Sequence, residues 1–353
     1  MRFLFDCERH EIAEALRPPF RTTQICKSVY QRWLDDFELM TDLPKELRSS
    51  LNHEWNIKLP VVHRRFDSVD GTRRYLIQLQ DGEMAETVFI PEDHRSTICI
   101  SSQVGCALAC TFCLTGQLGL TRHLSAGEIV AQAIIAQRDN LSWEARDSFN
   151  IVLMGMGEPL HNYDNVMKAL RILHDEEGMN MSMSRITLST AGLLPALERL
   201  ADEPIIPNLA ISLTGASNEK RNELMPINRK YPIETLLDAV RRFPLKHRQR
   251  VTFEYVLLKG VTDSVEDAHN LARLLKGLRA KVNLIPLNEA EELEYSRPTD
   301  DAVERFQQIL IDNHISAFVR KNRGNDISAA CGQLKQKWSG LKRSVSTTRR
   351  SRR

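Results

Sequence analysis

Short apolar runs alternate with stretches of helical periodicity along most of the chain, and the rhythm changes twice. Over residues 1–60, Ile12, Leu16, Val29, Trp33, Phe37 and Leu47 recur near helical spacing, with breaks at Pro18-Pro19 and Pro44. This predicts a small helical unit. Two Asp-Gly turns follow, Asp70-Gly71 and Asp81-Gly82, flanking the segment Arg74 to Gln80 that puts Tyr75, Ile77 and Leu79 on one face. They predict a three-strand meander over 61–91, closed by the strand Glu86 to Ile90.

From about residue 97 short β-rich runs alternate with helical patterns, as βα units around a parallel sheet do. Strands are predicted at 97–101, 151–155, 186–190, 208–213, 250–257, 281–286 and 316–320. Helices are predicted at 126–138, 164–174, 193–200, 232–243, 264–277 and 300–312, the first opened by a capping box of Ser125 and Glu128. Six helices and six or seven strands are too few for a closed eight-fold barrel. An α/β fold with an open, partial (β/α)6 barrel over 92–325 is the economical reading, although a doubly wound sheet shares the local pattern.

Composition narrows the class. Of 353 residues 42% are apolar and 27% charged, with 16 Gly and 14 Pro, which excludes disorder and collagen-like repeats. No run approaches a membrane span, and charges interrupt the N-terminal MRFLFDCERHEIAEAL before any signal-peptide core. The cytoplasm is the expected compartment. The net charge of +2 hides an asymmetry, because residues 342–353 (KRSVSTTRRSRR) carry six basic and no acidic residues. Such a tail cannot fold alone and suits a polyanion, or simply solubilises the chain. Seven cysteines, an odd number, argue against a complete disulfide framework.

The strongest chemical signal is Cys106-Ala-Leu-Ala-Cys110-Thr-Phe-Cys113, in the loop after the first barrel strand. Loops at the C-terminal ends of barrel strands build active sites. Three cysteines cannot saturate four irons, so a [4Fe-4S] cubane bound here keeps one iron open. Structural zinc would need a fourth ligand, and His123 is the nearest candidate. After the second strand comes Met154-Gly155-Met156-Gly157-Glu158-Pro159, where glycines admit a ligand close to the backbone and Glu158 can accept from an ammonium group. Alone, this run reads as a tight turn.

The spacing C-x3-C-x2-C, with Phe112 before the last cysteine, resembles the radical S-adenosylmethionine (SAM) superfamily. Four ordered runs make the resemblance narrower: Cys99-Ile-Ser-Ser-Gln-Val-Gly-Cys106, Met154 to Pro159, Leu188-Ser-Thr-Ala-Gly192 and Asp326-Ile-Ser-Ala-Ala-Cys-Gly-Gln-Leu334 are similar to the RlmN/Cfr family of RNA adenine methyltransferases. Pro19-Phe20-Arg21 and Phe37 to Thr41 resemble that family's helical accessory domain.

The resemblance implies a cluster on Cys106, Cys110 and Cys113, with SAM as both methyl donor and radical source. SAM contacts are expected from Gly157, Glu158, Ser189, Ser212, Leu213, Thr214 and Asn288. Thr214 departs from the family pattern, which has histidine there. Cys331, in the C-terminal segment 326–341, aligns with the cysteine that is methylated and relays the methyl group. Glu86 aligns with the base, and Cys99 with the thiol that releases the product by forming a disulfide with Cys331. Without the alignment, Cys331 and Cys99 read as buried structural thiols and Glu86 as a solvated carboxylate.

The implied activity is methylation of carbon 2 of an adenosine in 23S ribosomal RNA, with transfer RNA as a further target. Carbon 8, as in the antibiotic-resistance branch, uses the same cysteines. A non-catalytic Fe–S RNA-binding protein is the alternative of another class. Arg241-Arg242, Lys246 to Arg250, Arg320 to Arg323 and the tail are candidate phosphate contacts. No flavin or second ferredoxin-type motif is present, so a flavodoxin- or ferredoxin-like donor must supply electrons; a monomer is expected.

Overall fold

The computed structural model describes residues 1–16, 18–93, 95–142 and 149–334. Residues 335–341 of the C-terminal segment and the tail 342–353 lie outside them. The N-terminal unit holds helices α1 (Arg9–Ala15), α2 (Phe20–Cys26) and α3 (Lys45–Glu54), and Pro19 and Pro44 stand at the N-caps of the last two. The expected proline breaks thus start helices, where a missing N–H costs nothing. Sequence periodicity missed a parallel pair, β1 (Arg2–Phe3) with β2 (Trp55–Asn56), that closes the unit on itself.

The meander comprises β3 (Val61–Asp67), β4 (Arg73–Gln78) and β5 (Met84–Ile90), all antiparallel. Gly71 and Gly82 take φ of +82° and +87° in its turns, as Asp-Gly hairpins require. Strand β5 continues antiparallel onto β6 (Ser96–Cys99), so the meander extends the main sheet. A hairpin of β7 (Gln103–Gly105) and β8 (Leu120–His123) follows, enclosing the cysteine loop and the short helix α4 (Leu114–Gln117).

Parallel strands then add in chain order: β9 (Phe149–Leu153), β10 (Ile186–Thr190), β11 (Asn208–Ser212), β12 (Val251–Leu257), β13 (Ala280–Pro286) and β14 (Ser316–Val319). Helices α5 (Ala126–Asn140), α6 (Tyr163–His174), α7 (Leu194–Ala201), α8 (Asn218–Leu224), α9 (Ile233–Arg242), α10 (Val265–Leu275) and α11 (Asp300–Asp312) connect them. The ten strands run β14-β13-β12-β11-β10-β9-β6-β5-β4-β3, with no reversal of strand order. A doubly wound sheet would reverse, so the partial barrel is the fold, and its sheet stays open between β14 and β3. Ser125 and Glu128 form the expected capping box on α5. Among the described residues no helix is long and apolar enough to cross a membrane.

The helical unit is tied to the barrel's outer helices. Asp6 Oδ1 accepts from Gly127 N at 2.6 Å, and Glu8 and Glu11 on the first turn of α1 pair with Arg171 and Lys168 of α6. A Cβ at Gly127 would sit 2.7 Å from the Phe3 ring, so only glycine permits this approach.

Candidate active site

Every parallel strand ends on the same side of the barrel, and the loops there carry most of the residues singled out by sequence. The neck of the cysteine loop is set by Gly105 and Gly119. Cys106 N donates to Gly119 O at 2.9 Å, and a Cβ on Gly105 would meet that oxygen at 1.9 Å. Further round, Thr111 N donates to Leu224 O, and Leu114 N to Gly332 O.

Cys106, Cys110 and Cys113 line one cavity with about 1010 Å³ of space between protein atoms, part of it open to solvent. That is at the upper end of ligand pockets (~300–1,000 Å³). Burial raises all three thiols, Cys106 to about 12. Dry thiols of this kind become thiolates only beside a strong cation, as iron is. No three His, Cys, Asp or Glu among the described residues converge as a single ion needs. His123, the nearest fourth ligand for zinc, does not line this cavity and its Nδ1 lies 2.9 Å from Gln103 Nε2, so three thiols around one space fit a cluster with an open corner better than zinc.

The opposite walls come from the other strand ends. Gly157 has φ of +101°, and a Cβ there would meet the Gln103 side chain at 2.5 Å. Gln103 in turn accepts from Glu158 N at 2.8 Å. Glu158 is 3% exposed, and its two carboxylate oxygens accept from Leu160 N (3.0 Å) and Ala191 N (2.8 Å). Burial lifts its pKa to about 7. Ser189 and Ser212 place hydroxyls 3.5 Å apart on β10 and β11. Asn288 donates to Cys331 O at 3.3 Å, and its own Oδ1 is buried without a hydrogen-bond partner. Such orphaned acceptors are rare and fit a ligand's donor.

Thr214 lines the cavity at φ +22°, a strained angle for a β-branched residue, and its hydroxyl accepts from Val256 N. Leu213 does not line the cavity; its side chain is fully buried in the core. Its backbone N donates to Glu254 O.

A second cavity lies on the far side of Cys331. Met154, Ile285, Asn288, Arg320 and Cys331 are common to both. Its floor is apolar, from Val88, Ile90 and Val152, and its rim carries Lys321 and Arg323; Cys99 lines it as well. Cys331 is exposed, against the buried thiol its Ala-rich context suggests; Gly332 beside it takes φ of +82° and accepts from Leu114 N of the cysteine loop. Cys99 is buried, and desolvation pushes its pKa to about 12. All seven cysteines are free, so the Cys99–Cys331 disulfide implied by the resemblance is not formed in this state.

Glu86 shares a face of β5 with Val88 and Ile90 but lines neither cavity. It is 2% exposed, and Arg74 Nη1 lies 3.3 Å from its carboxylate. The solvated carboxylate expected from local sequence is thus incorrect, since β5 is covered on both faces. Periodicity also missed Glu254, a buried carboxylate in the cavity whose Oε1 accepts from Asn283 at 2.9 Å. A lone charge within the apolar strand VTFEYVL was the available signal. Arg320 turns inward toward Glu254 (3.9 Å) and Met154, so this member of the basic run is not free surface charge.

This fold and cysteine loop define a radical SAM protein, and the radical SAM superfamily model matches residues 100–273. The model of the ribosomal RNA large subunit methyltransferase N-terminal domain matches residues 9–57. A dual-specificity RNA methyltransferase RlmN of Geobacter sulfurreducens is 51% identical over 92% of this chain and 88% of its own. That of Paracoccus denitrificans is 45% identical over 95% of this chain and 90% of its own. A crystal structure of a radical SAM methyltransferase from Sphaerobacter thermophilus superposes with a TM-score of 0.90 at 46% identity, covering 94% of this chain and 99% of that one. The chain belongs to the RlmN family.

Proposed function

We propose that the protein methylates carbon 2 of an adenosine in RNA, ribosomal and transfer RNA both being substrates, through S-methylation of Cys331. The observation that carries this is the position of Cys331, exposed between the two cavities, with the cysteine loop on one side and Cys99 on the other. The dual specificity of the curated relatives' names supports both RNA classes.

Cys106, Cys110 and Cys113 would hold a [4Fe-4S] cluster, which together with SAM would supply the methyl group and the one-electron chemistry that an unactivated ring carbon needs. Glu158 faces the methionyl ammonium, and Gly157 lets the backbone approach. Ser189, Ser212, Thr214 and Asn288 contact SAM, while Leu213, its N bonded to Glu254 and its O to Arg221, fixes the strand end between them. Cys331 accepts the methyl group and presents it to the second cavity, where the base lies on Val88, Ile90 and Val152. Lys321 and Arg323 meet its phosphates. The one-electron chemistry would remove a hydrogen atom from the Cys331 S-methyl, and the methylene left behind would bond to ring carbon 2. Glu86, two residues from Val88 on the same face of β5 and released from Arg74, would take the ring proton as the adduct gives up one electron.

Cys99 then completes turnover. Its sulfur bonds to that of Cys331 as the bond from Cys331 sulfur to the methylene carbon breaks, and its proton ends on that carbon as the methyl group forms. An external thiol must reopen the disulfide. The raised pKa keeps Cys99 protonated until this step. Residues 1–60 form an accessory unit, 61–91 the meander that carries Glu86, 92–325 the core and 326–341 the relay segment. The protein acts in the cytoplasm as a monomer, with a flavodoxin- or ferredoxin-like electron donor.

The test is anaerobic reconstitution with iron and sulfide, then incubation with SAM, dithionite and ribosomal or transfer RNA. Methylation of Cys331 by mass spectrometry and 2-methyladenosine in digested RNA are expected. An 8-methyl product, or an intact cluster that forms neither product, overturns the reading.

A further inference from the structure

Arg221 of α8 is the largest fully buried side chain among the described residues, with 0% exposure. Its acceptors are Asn228 Oδ1 (3.0 Å), Ser212 O (3.0 Å), Leu213 O, Ala191 O (2.7 Å) and Met225 Sδ (3.0 Å), none of them charged. No carboxylate among the described residues forms an ion pair with it. Its neighbour Lys220, by contrast, has Asp267 at 2.7 Å. Burying a cation without a counter-ion is costly, and folded chains avoid it unless an anion arrives from elsewhere.

The position of Arg221 shows where that anion belongs. The helix that carries it is bonded to the cysteine loop through Leu224 O and Thr111 N, and Leu224 and Met225 pack in one cluster with Cys110 and Phe112. Burial pulls Arg221 down only to about 10, so it stays charged at neutral pH. It lies behind the cavity wall, not on it, and so acts through its field and through the strand ends it ties together.

We propose that Arg221 is the fixed counter-charge of the iron–sulfur cluster, raising its reduction potential while its guanidinium sets the strand ends at Ala191, Ser212 and Leu213. This rests on the cofactor reading above. A cubane with three thiolates is anionic and gains further negative charge on reduction, so a nearby cation favours the reduced form.

The experiment is an EPR-monitored redox titration of the reconstituted protein in the absence of RNA, run first without and then with SAM, with iron and sulfide content and melting temperature recorded for each variant. Wild type with no cluster signal would fail the cofactor reading and not this one. Arg221→Gln removes the charge, and Asn228→Asp neutralises it while leaving the guanidinium in place. Both are expected to lower the reduced fraction at fixed potential about tenfold, which is 59 mV for a one-electron couple. Arg221→Lys keeps the charge and is expected to stay near wild type in potential but to melt lower. If Arg221→Gln does not fold, Asn228→Asp carries the test. Unchanged potential in a folded, cluster-loaded neutralised variant overturns the proposal. So does a shift that appears only with SAM bound, which would assign the charge to the methionyl carboxylate.

Discussion

Glu158 shows how one buried carboxyl can sense its ligand. With its pKa raised from 4.5 to about 7 by burial, it is neutral in mildly acidic solution and cannot balance an ammonium group. S-adenosylhomocysteine, which carries the same ammonium, should therefore bind more tightly as pH rises through about 7. Equilibrium dialysis on the reconstituted protein measures this, and Glu158→Gln should flatten the profile. The same shift has an opposite effect on the ligand-free chain. The folded state keeps a proton that the unfolded chain gives up, so stability falls as pH climbs from 4.5 to 7. Two cysteines differ as sharply: Cys331→Ala should abolish RNA methylation, whereas Cys99→Ala should trap a covalent protein–RNA adduct. A denaturing gel distinguishes them, and a Cys99→Ala protein that turns over normally would remove its resolving role.

Between elements, the relay segment is pinned to the meander's first turn by two reciprocal carboxylates. Asp326 accepts from Ser68 Oγ (2.5 Å) and Val69 N (3.2 Å), while Asp70 accepts from Gly324 N (3.0 Å) and Thr72 N (2.9 Å). The Ser68 hydroxyl chiefly holds the Asp326 carboxyl below its ordinary range. Burial pushes Asp70 up, but hydrogen bonds from Thr72, Gly324 and Ser68 reverse this and bring it to about 2. Both pKa values are lowered on folding, so the latch is fully present above the carboxylate range and is lost as pH falls from about 4 toward 2. Asp70→Asn and Asp326→Asn should speed amide exchange over 324–334 and slow methyl transfer severalfold, with the melting temperature little changed. Unchanged exchange would mean that the bonds from Leu114, Thr115 and Asn288 to this segment, with that of Gln333 to Glu289, suffice to hold it.

At the scale of the molecule, an RNA enzyme must concentrate its positive charge, because the chain has little to spare. Its 48 Lys and Arg oppose 46 Asp and Glu, and six of the basic residues lie in 342–353, which leaves 42 against 46 elsewhere. On the proposed function, binding relies on local patches such as Lys321 and Arg323 at the second cavity. Deleting 342–353 is expected to weaken RNA binding and flatten its salt dependence, by about 0.7–0.9 in log–log slope for each phosphate that the tail neutralises. S-adenosylhomocysteine binding should not change. A slope equal to that of the full chain would leave the tail a solubilising segment.

The sequence alone determined what depends on local pattern. The βα rhythm, the Asp-Gly hairpins and the Ser125 cap were legible because periodicity, left-handed turns and capping are properties of a few consecutive residues. The cysteine loop and the Gly157-Glu158 run were legible through spacing and resemblance. Tertiary structure decided everything set by residues far apart in the chain. It buried Glu86 against Arg74 and exposed Cys331. It sent the Leu213 side chain into the core, turned Arg320 inward to Glu254 and left Arg221 with no carboxylate partner among the described residues. Burial and charge compensation are sums over neighbours from separate strands, and no window along the chain contains those neighbours.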